Sequence, residues 1–154
     1  MAFPLCAYAA APSGKEYIVS AGDYDLPMER CFVRNQVDQV ADLVQSMGKE
    51  AFPLIRGRDG EYFWRDTYVF VMSPDGTELV NPAFPENEGR NMIEQNGPAK
   101  QYMPIVLKKK NVWVRYDWPK PGSDKPEPKR TYLRKVEYQG NVYIIGCGVY
   151  LSDE

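Results

Sequence analysis

Hydrophobic residues recur at intervals of three and four positions in the first third of the chain. The recurring residues are Val33, Val37, Val40, Val44, Met47 and Ala51. This spacing places them on one face of an α-helix, with charged residues on the opposite face. Pro27 suits the start of such a helix, and Pro53 suits its end. The pattern therefore predicts a long amphipathic helix from Met28 to Phe52.

A different pattern follows the helix. Residues 67–72, TYVFVM, are apolar or aromatic at nearly every position, with Tyr68 and Phe70 on the same face. A strand covered on both faces has this pattern, so we expect a central strand. Residues 73–76, SPDG, form a tight-turn sequence, and residues 77–80 form the second strand of the hairpin. The segment predicts a β-hairpin rich in aromatic side chains.

Three further strands follow at residues 111–118, 129–138 and 142–151, after a short helix that begins near Gly97-Pro98. Because helices and strands do not alternate, a parallel sheet is disfavoured. We predict an α+β fold in which a five-stranded antiparallel sheet carries the long helix on one face and loops on the other. Within the last strand, the two glycines at 146 and 148 indicate close backbone approach or a bend.

Composition narrows the function. The 154 residues are 44% hydrophobic and 26% charged, which indicates one globular domain. The net charge of −2 lacks the basic excess of nucleic-acid-binding proteins, so we expect no nucleic-acid partner. The sequence has no histidine, which excludes histidine-dependent catalytic triads and metal sites. With no recognised catalytic motif either, we expect neither an enzyme nor a cofactor.

The first residues, MAFPLCAYAAAPSGK, are apolar and end in small residues. Because Ala7-Tyr8-Ala9 fits a signal-peptidase site, we interpret residues 1–11 as the remnant of a secretory signal. The alternative is an apolar N-terminus without a targeting role. Residues 12–27 are then a lead-in, and residues 28–151 a single domain.

Cys31 and Cys147 are the cysteines outside the predicted signal remnant. They would form a disulfide if they met in an oxidising compartment. The sequence does not fix their separation, and we favour two unpaired, buried thiols.

Aromatic and cationic residues are brought together by the predicted topology. Tyr116 and Trp118 end the third strand, and Lys129, Arg130 and Tyr132 start the fourth. Strands joined in this way meet at one end of a sheet. Aromatic walls with a cationic anchor suit a small carboxylate. The alternative is that the aromatic residues fill the core and the cations are solvated.

Three segments together resemble the single Cache extracellular sensor domains of sCache type 2. They read DTYVFVMSPDGTELVNPAFPENEGRNM, VWVRYDWPKPGSDKPEPKRTYLRKV and VYIIGCGVYL. The similar features are Gly89-Arg90-Asn91, the strand from Trp113 to Pro121, Lys129 before Thr131-Tyr132, and the closing stretch from Ile145 to Tyr150. The resemblance covers about residues 28 to 151, and it includes the long helix.

The resemblance implies a PAS-like sheet with a ligand pocket, in bacterial proteins facing the periplasm. Family members often bind organic acids such as acetate, propionate, pyruvate or lactate. Carried over by position, the ligand-binding candidates are Arg65, Tyr68, Phe70, Tyr116, Trp118, Lys129 and Tyr132. Asn81 departs from the histidine that many members have, so the ligand preference is expected to differ there.

We therefore expect a periplasmic or extracellular sensor of a short organic acid, acting in signal transduction or chemotaxis. The expected partners are a membrane receptor or histidine kinase, and a second copy through the long helix. Because most family members continue into a transmembrane helix and a signalling module, the chain is either a sensor domain cut from a longer receptor or a free-standing periplasmic protein. The signal-like start and the short polar end favour the free-standing form. The alternatives are an assembly module without a small ligand, and a small enzyme using Tyr68 with Asp66.

Overall fold

The computed structural model describes residues 6–10, 17–21 and 28–151. Strands β1 (Cys6–Ala10) and β2 (Tyr17–Ala21) form an antiparallel pair in which Cys6 faces Ala21 and Ala10 faces Tyr17. Residues 1–5, 11–16, 22–27 and 152–154 lie outside the described part. The pairing of β1 with β2 does not test the assignment of residues 1–11 to a signal remnant and of 12–27 to a lead-in, so both stay predictions.

Helix α1 spans Met28–Met47 and is shorter than predicted. It ends because Gly48 takes a left-handed conformation, with φ of 58°, before a 3-10 turn over Gly48–Ala51 and the short helix α2, Phe52–Ile55. A side chain at Gly48 would also overlap the Tyr138 ring. The predicted apolar stripe is otherwise confirmed: Val33, Val37, Val40, Val44 and Ala51 are fully buried.

The remaining elements of the described ranges are six strands, one α-helix and a 3-10 turn over Pro85–Asn87. The strands and the α-helix are β3 (Phe63–Trp64), β4 (Thr67–Met72), β5 (Glu78–Val80), α3 (Ala99–Lys109), β6 (Asn111–Pro119), β7 (Pro126–Tyr138) and β8 (Asn141–Tyr150). The predicted hairpin and the last three strands are thus present. β7 starts three residues before the predicted strand, within the proline-rich segment.

The sheet is antiparallel throughout, in the order β3-β4-β8-β7-β6, and β5 also pairs with β4. It has six strands rather than the predicted five because the two-residue β3 joins it. The central position of β4 is confirmed, since β4 pairs with β8 on one edge and with β3 and β5 on the other.

Each face of the sheet has its own core. α1 packs on β4, β7 and β8 and buries alternate residues of these strands, including Val69, Tyr132 and Cys147. On the opposite face, α3 and the segment 81–98 cover Tyr68, Phe70 and their neighbours. The fold is α+β and PAS-like, as predicted, although the second face carries a helix as well as loops.

The two cysteines of the domain do not pair. Cys31 is exposed on α1 and Cys147 is buried in β8. The prediction of unpaired thiols is confirmed, but the expected burial is correct for Cys147 alone. In the described ranges, no helix has both the length and the apolar character needed to cross a membrane.

Candidate functional site

A small cavity lies on the face of the sheet opposite α1. Its walls come from β4, β5, β6, α3 and the segment between β5 and α3. The lining residues are Tyr68, Phe70, Met72, Glu78, Asn81, Met92, Pro98, Tyr102, Tyr116 and Trp118. The cavity volume is about 20 Å³, which is room for one or two water molecules. The space is therefore mostly filled by the surrounding side chains.

Lys129 lies beside this cavity and has no exposed surface. Its Nζ atom is 4.0 Å from the ring centroid of Tyr68 and 4.9 Å from that of Tyr150. Cation–π contact stabilises an ammonium group in this position. Among the described residues, however, no acceptor forms a hydrogen bond with Nζ. Burial lowers the pKa of Lys129 to about 8.

Two glycines of β8 make room for these side chains. A Cβ atom at Gly148 would lie 2.9 Å from Cε of Lys129 and closer still to Oγ1 of Thr131. A Cβ atom at Gly146 would overlap the Phe70 ring. The predicted close backbone approach is confirmed, because these positions admit the lysine stem and the phenyl ring.

Tyrosine hydroxyl groups form the rest of the polar surface. The Tyr68 hydroxyl forms a hydrogen bond with Tyr150, whose own hydroxyl donates to the carbonyl of Pro119 at 2.5 Å. The hydroxyl of Thr131 donates to the Tyr116 oxygen at 3.0 Å. Burial raises the pKa values of Tyr68, Tyr116 and Tyr150, so these groups stay protonated at neutral pH.

Glu78 adds a carboxyl group to the cavity wall and is 4% exposed. Its Oε1 accepts a hydrogen bond from Nδ2 of Asn81 at 2.8 Å, whereas Oε2 has no partner within the described part of the chain. Burial raises the pKa of Glu78 to about 7, against the opposing effects of Asn81 and Lys129. The site therefore contains two buried ionisable groups of opposite charge type.

The side chain of Asn81 holds the turn that follows β5. Its Oδ1 accepts hydrogen bonds from the backbone N–H groups of Ala83 at 3.1 Å and Phe84 at 3.0 Å. One side chain thus fixes the turn after β5 and the position of Glu78. Asn81, which stands where many members of the resembled family have histidine, therefore also lines the cavity.

The sheet register explains which predicted residues come together. Tyr116, Lys129 and Tyr150 face one another on the adjacent strands β6, β7 and β8. Tyr68 and Phe70 approach from β4, and Trp118 lies farther along β6. Five of the seven predicted site residues thus line the cavity or lie next to it.

Arg65 and Tyr132 are not in this group. Arg65 is exposed in the turn between β3 and β4, with φ of 57°, and stacks on the Trp64 ring at 4.5 Å. Tyr132 packs on Trp113 in the core beneath α1, with ring centroids 5.1 Å apart. It is three positions from Lys129, and strand alternation places residues an odd number apart on opposite faces.

The hypothetical Tyr–Asp catalytic pair is also not formed. The Tyr68 hydroxyl is directed to Tyr150, whereas the carboxylate of Asp66 lies 3.7 Å from Nζ of Lys120. Within the described ranges, no three histidine, cysteine, aspartate or glutamate residues cluster as a metal site.

Sequence reasoning missed several residues of the cavity, notably Glu78 and Tyr102. Glu78 could have been found from the hairpin pattern, because the return strand places it opposite Met72, on the same face of the sheet. Tyr102 could not, since its approach depends on how α3 packs. The centroids of Tyr102 and Tyr116 are 5.6 Å apart, and both rings also line an outer groove of about 220 Å³. This pair separates the cavity from that groove.

A PAS-like sheet with a long helix on one face and an aromatic-lined cavity on the other is the architecture of a class of ligand-binding domains. A family model described as Cache domain matches residues 45–154. The chain therefore belongs to the Cache domain family.

Individual relatives agree with this assignment. The chain is 26% identical over 93 residues to the methyl-accepting chemotaxis protein McpP of Pseudomonas putida, an alignment covering 57% of this chain and 17% of that protein. The chain thus matches a small part of that receptor. The relatives are sensor domains of chemotaxis receptors.

Solved structures share the fold. One, described as the structural basis for carboxylic acid recognition by a Cache chemosensory domain, aligns with a TM-score of 0.61 and 22% identity, covering 80% of this chain and 90% of its own. A methyl-accepting chemotaxis protein from Vibrio parahaemolyticus aligns with a TM-score of 0.62 and 19% identity, covering 80% of this chain and 89% of its own. A periplasmic sensor domain of a chemotaxis protein gives 0.54 and 23%, covering 79% and 92%.

Proposed function

We propose that this chain is a periplasmic or extracellular sensor domain that binds a short organic acid through its carboxylate group. The observation that carries the proposal is the Lys129 ammonium group, which is fully buried beside the cavity without a hydrogen-bond acceptor among the described residues. An unpaired buried charge is unfavourable. A ligand carboxylate would supply the missing acceptor.

The surrounding groups suit such a ligand. The rings of Tyr68 and Tyr150 hold the ammonium group from two sides, and Tyr116 brings a hydroxyl to the cavity wall. Phe70 and Trp118 provide apolar walls for a short carbon chain. Because the cavity volume is about 20 Å³, an acid of a few carbon atoms enters when lining side chains shift. Met72 and Met92 are flexible enough to do so.

Binding would be relayed to a membrane receptor or histidine kinase, as part of the same polypeptide or as a partner. The chemoreceptor relatives support this role, and a second copy of the chain would pair through α1. The assembly alternative is favoured by one observation, the small size of the cavity. In that case side chains keep the cavity filled and no acid binds.

A thermal-shift screen tests the proposal. Wild-type protein is titrated with acetate, propionate, pyruvate and lactate beside Lys129→Met and Lys125→Met. Lys125 is an exposed lysine of the β6–β7 connection, which makes it the matched control. A ligand at one hundred times its Kd stabilises the native state by about 2.7 kcal/mol. We expect this shift in wild type and Lys125→Met and its loss in Lys129→Met. No shift with any acid, or an equal shift in all three proteins, would contradict the proposal.

A further inference from the structure

Glu78 presents a second unsatisfied group to the same cavity. Only 4% of Glu78 is exposed, and its Oε2 atom has no hydrogen-bond partner in the described ranges. Glu78 and Lys129 interact electrostatically but form no hydrogen bond with each other. The cavity therefore lacks an acceptor for Lys129 and a donor for Glu78.

Asn81 determines which Glu78 oxygen is available. Its Nδ2 donates to Oε1, and its own oxygen is held by the N–H groups of Ala83 and Phe84. This arrangement fixes the carboxyl group and leaves Oε2 for another partner. A polar group held in place before binding loses little conformational entropy when a ligand arrives.

We propose that Glu78 accepts a hydrogen bond from a second polar group of the ligand, so that the preferred ligand is a short carboxylate carrying a hydroxyl or ammonium group beside the carboxyl. This inference rests on the proposed carboxylate site. Lys129 would hold the carboxylate, and Oε2 of Glu78 would hold the neighbouring donor. A plain carboxylate leaves Oε2 of Glu78 unpaired, and this weakens its binding relative to that of a substituted acid.

Three acids of equal carbon number test the inference. Propionate, lactate and alanine differ at the carbon next to the carboxylate, which carries hydrogen, hydroxyl or ammonium. Their affinities for the full chain are measured by isothermal titration calorimetry at pH 8. We expect lactate or alanine to bind at least about tenfold more tightly than propionate, equivalent to about 1.4 kcal/mol. Which of the two is tighter identifies the donor.

The variant Glu78→Gln links the preference to this residue. Glutamine keeps the size of the side chain and an oxygen for Asn81, but it removes the anionic acceptor. We expect the preference over propionate to fall to about twofold or less, with propionate affinity maintained or improved. Glu86→Gln removes the same charge from an exposed position and should keep the wild-type preference. Thermal unfolding of each variant confirms that it is folded.

The outcomes separate the two proposals. If propionate binds as tightly as both substituted acids, or if Glu78→Gln keeps the full preference, the role of Glu78 is wrong while the carboxylate site stands. If none of the three acids binds, the carboxylate site fails and this inference fails with it.

Discussion

Nζ of Lys129 lies 4.0 Å from the ring centroid of Tyr68 in a fully buried position, without a hydrogen-bond acceptor among the described residues. The aromatic contact offsets part of the cost of burying the charge. Burial lowers the pKa of Lys129 to about 8, in the direction expected when the charged form is disfavoured in the folded protein. A residue that lowers stability in this way is typical of a functional site.

The first prediction separates the two effects of Lys129. Lys129→Met replaces the ammonium with an apolar group of similar length. We expect the free energy of unfolding at pH 7 to rise by about 2 kcal/mol, while binding of short acids is lost. Urea denaturation and calorimetry measure the two quantities. Lys125→Met should change neither. A variant less stable than wild type would show that the cation–π contacts outweigh the burial cost.

The second prediction concerns pH and Glu78. The pKa of Glu78 is raised in the folded state, from 4.5 to about 7, because burial and the neighbouring Glu88 and Glu86 disfavour its charge more than Asn81 and Lys129 favour it. The folded state therefore binds more protons than the unfolded state between these values. The resulting stabilisation is complete below pH 4.5 and is lost as the pH rises through 7. The change is about 3 kcal/mol.

Urea denaturation at several pH values measures this effect. We expect Glu78→Gln to lack the Glu78 contribution, so that it matches wild type near pH 4.5 and exceeds it by about 2–3 kcal/mol at pH 8. Glu86→Gln should keep most of the wild-type decline. Parallel profiles for wild type and Glu78→Gln would mean that Glu78 is ionised normally.

The third prediction concerns the free energy of unfolding at higher pH, where Lys129 titrates. Its folded pKa is lowered from 10.5 to about 8, so its contribution is complete above pH 10.5 and is lost as the pH falls through 8. We expect the unfolding free energy of wild type to increase by about 2–3 kcal/mol over this range relative to that of Lys129→Met. The difference between the two proteins isolates Lys129 from other groups that titrate there. A constant difference would contradict the lowered pKa.

The fourth prediction tests the room provided by β8. In Gly148→Ala the new methyl group would meet Thr131 and the Lys129 stem. We expect a loss of about 1–3 kcal/mol in stability and weaker binding of short acids, because the ammonium group is displaced. Gly57→Ala is the control, since its nearest neighbour, the backbone nitrogen of Gly60, would be 3.7 Å away. Thermal unfolding and calorimetry measure both. Gly148→Ala with wild-type affinity would show that Lys129 adjusts freely.

Patterns that depend on local periodicity were predictable from the sequence. The buried stripe of α1 and the position of β4 follow from the spacing of apolar residues. Tyr116 and Lys129 come together because β6 and β7 are joined directly and pair with each other. The two-residue β3 and the early start of β7 were not predictable, because tertiary pairing outweighs the weak strand propensity of such short or proline-containing segments.

The site residues divide in the same way. Strand alternation predicts that Tyr132 and Lys129 lie on opposite faces of the sheet. The prediction of Tyr132 as a site residue was wrong because it relied on the closeness of Tyr132 to Lys129 in the sequence. Tyr102 and Asn81 reach the cavity through the packing of α3 and the turn after β5. Contacts of this kind depend on long-range geometry that periodicity does not encode.

The two faces of the sheet provide the last prediction. Tyr116 and Tyr132 lie on neighbouring strands, but Tyr116 lines the cavity and Tyr132 packs beneath α1. Tyr116→Phe removes the acceptor of the Thr131 hydroxyl and the hydroxyl at the cavity wall. We expect it to lose about 1 kcal/mol of stability and to weaken acid binding about fivefold. Tyr132→Phe keeps the ring that packs on Trp113 and should leave affinity within about twofold of wild type, a difference of about 0.4 kcal/mol. Calorimetry on both variants decides the assignment. Equal losses of affinity would return Tyr132 to the site and contradict the division of the two faces, because a ligand held between Tyr68 and Tyr116 has no path through the sheet.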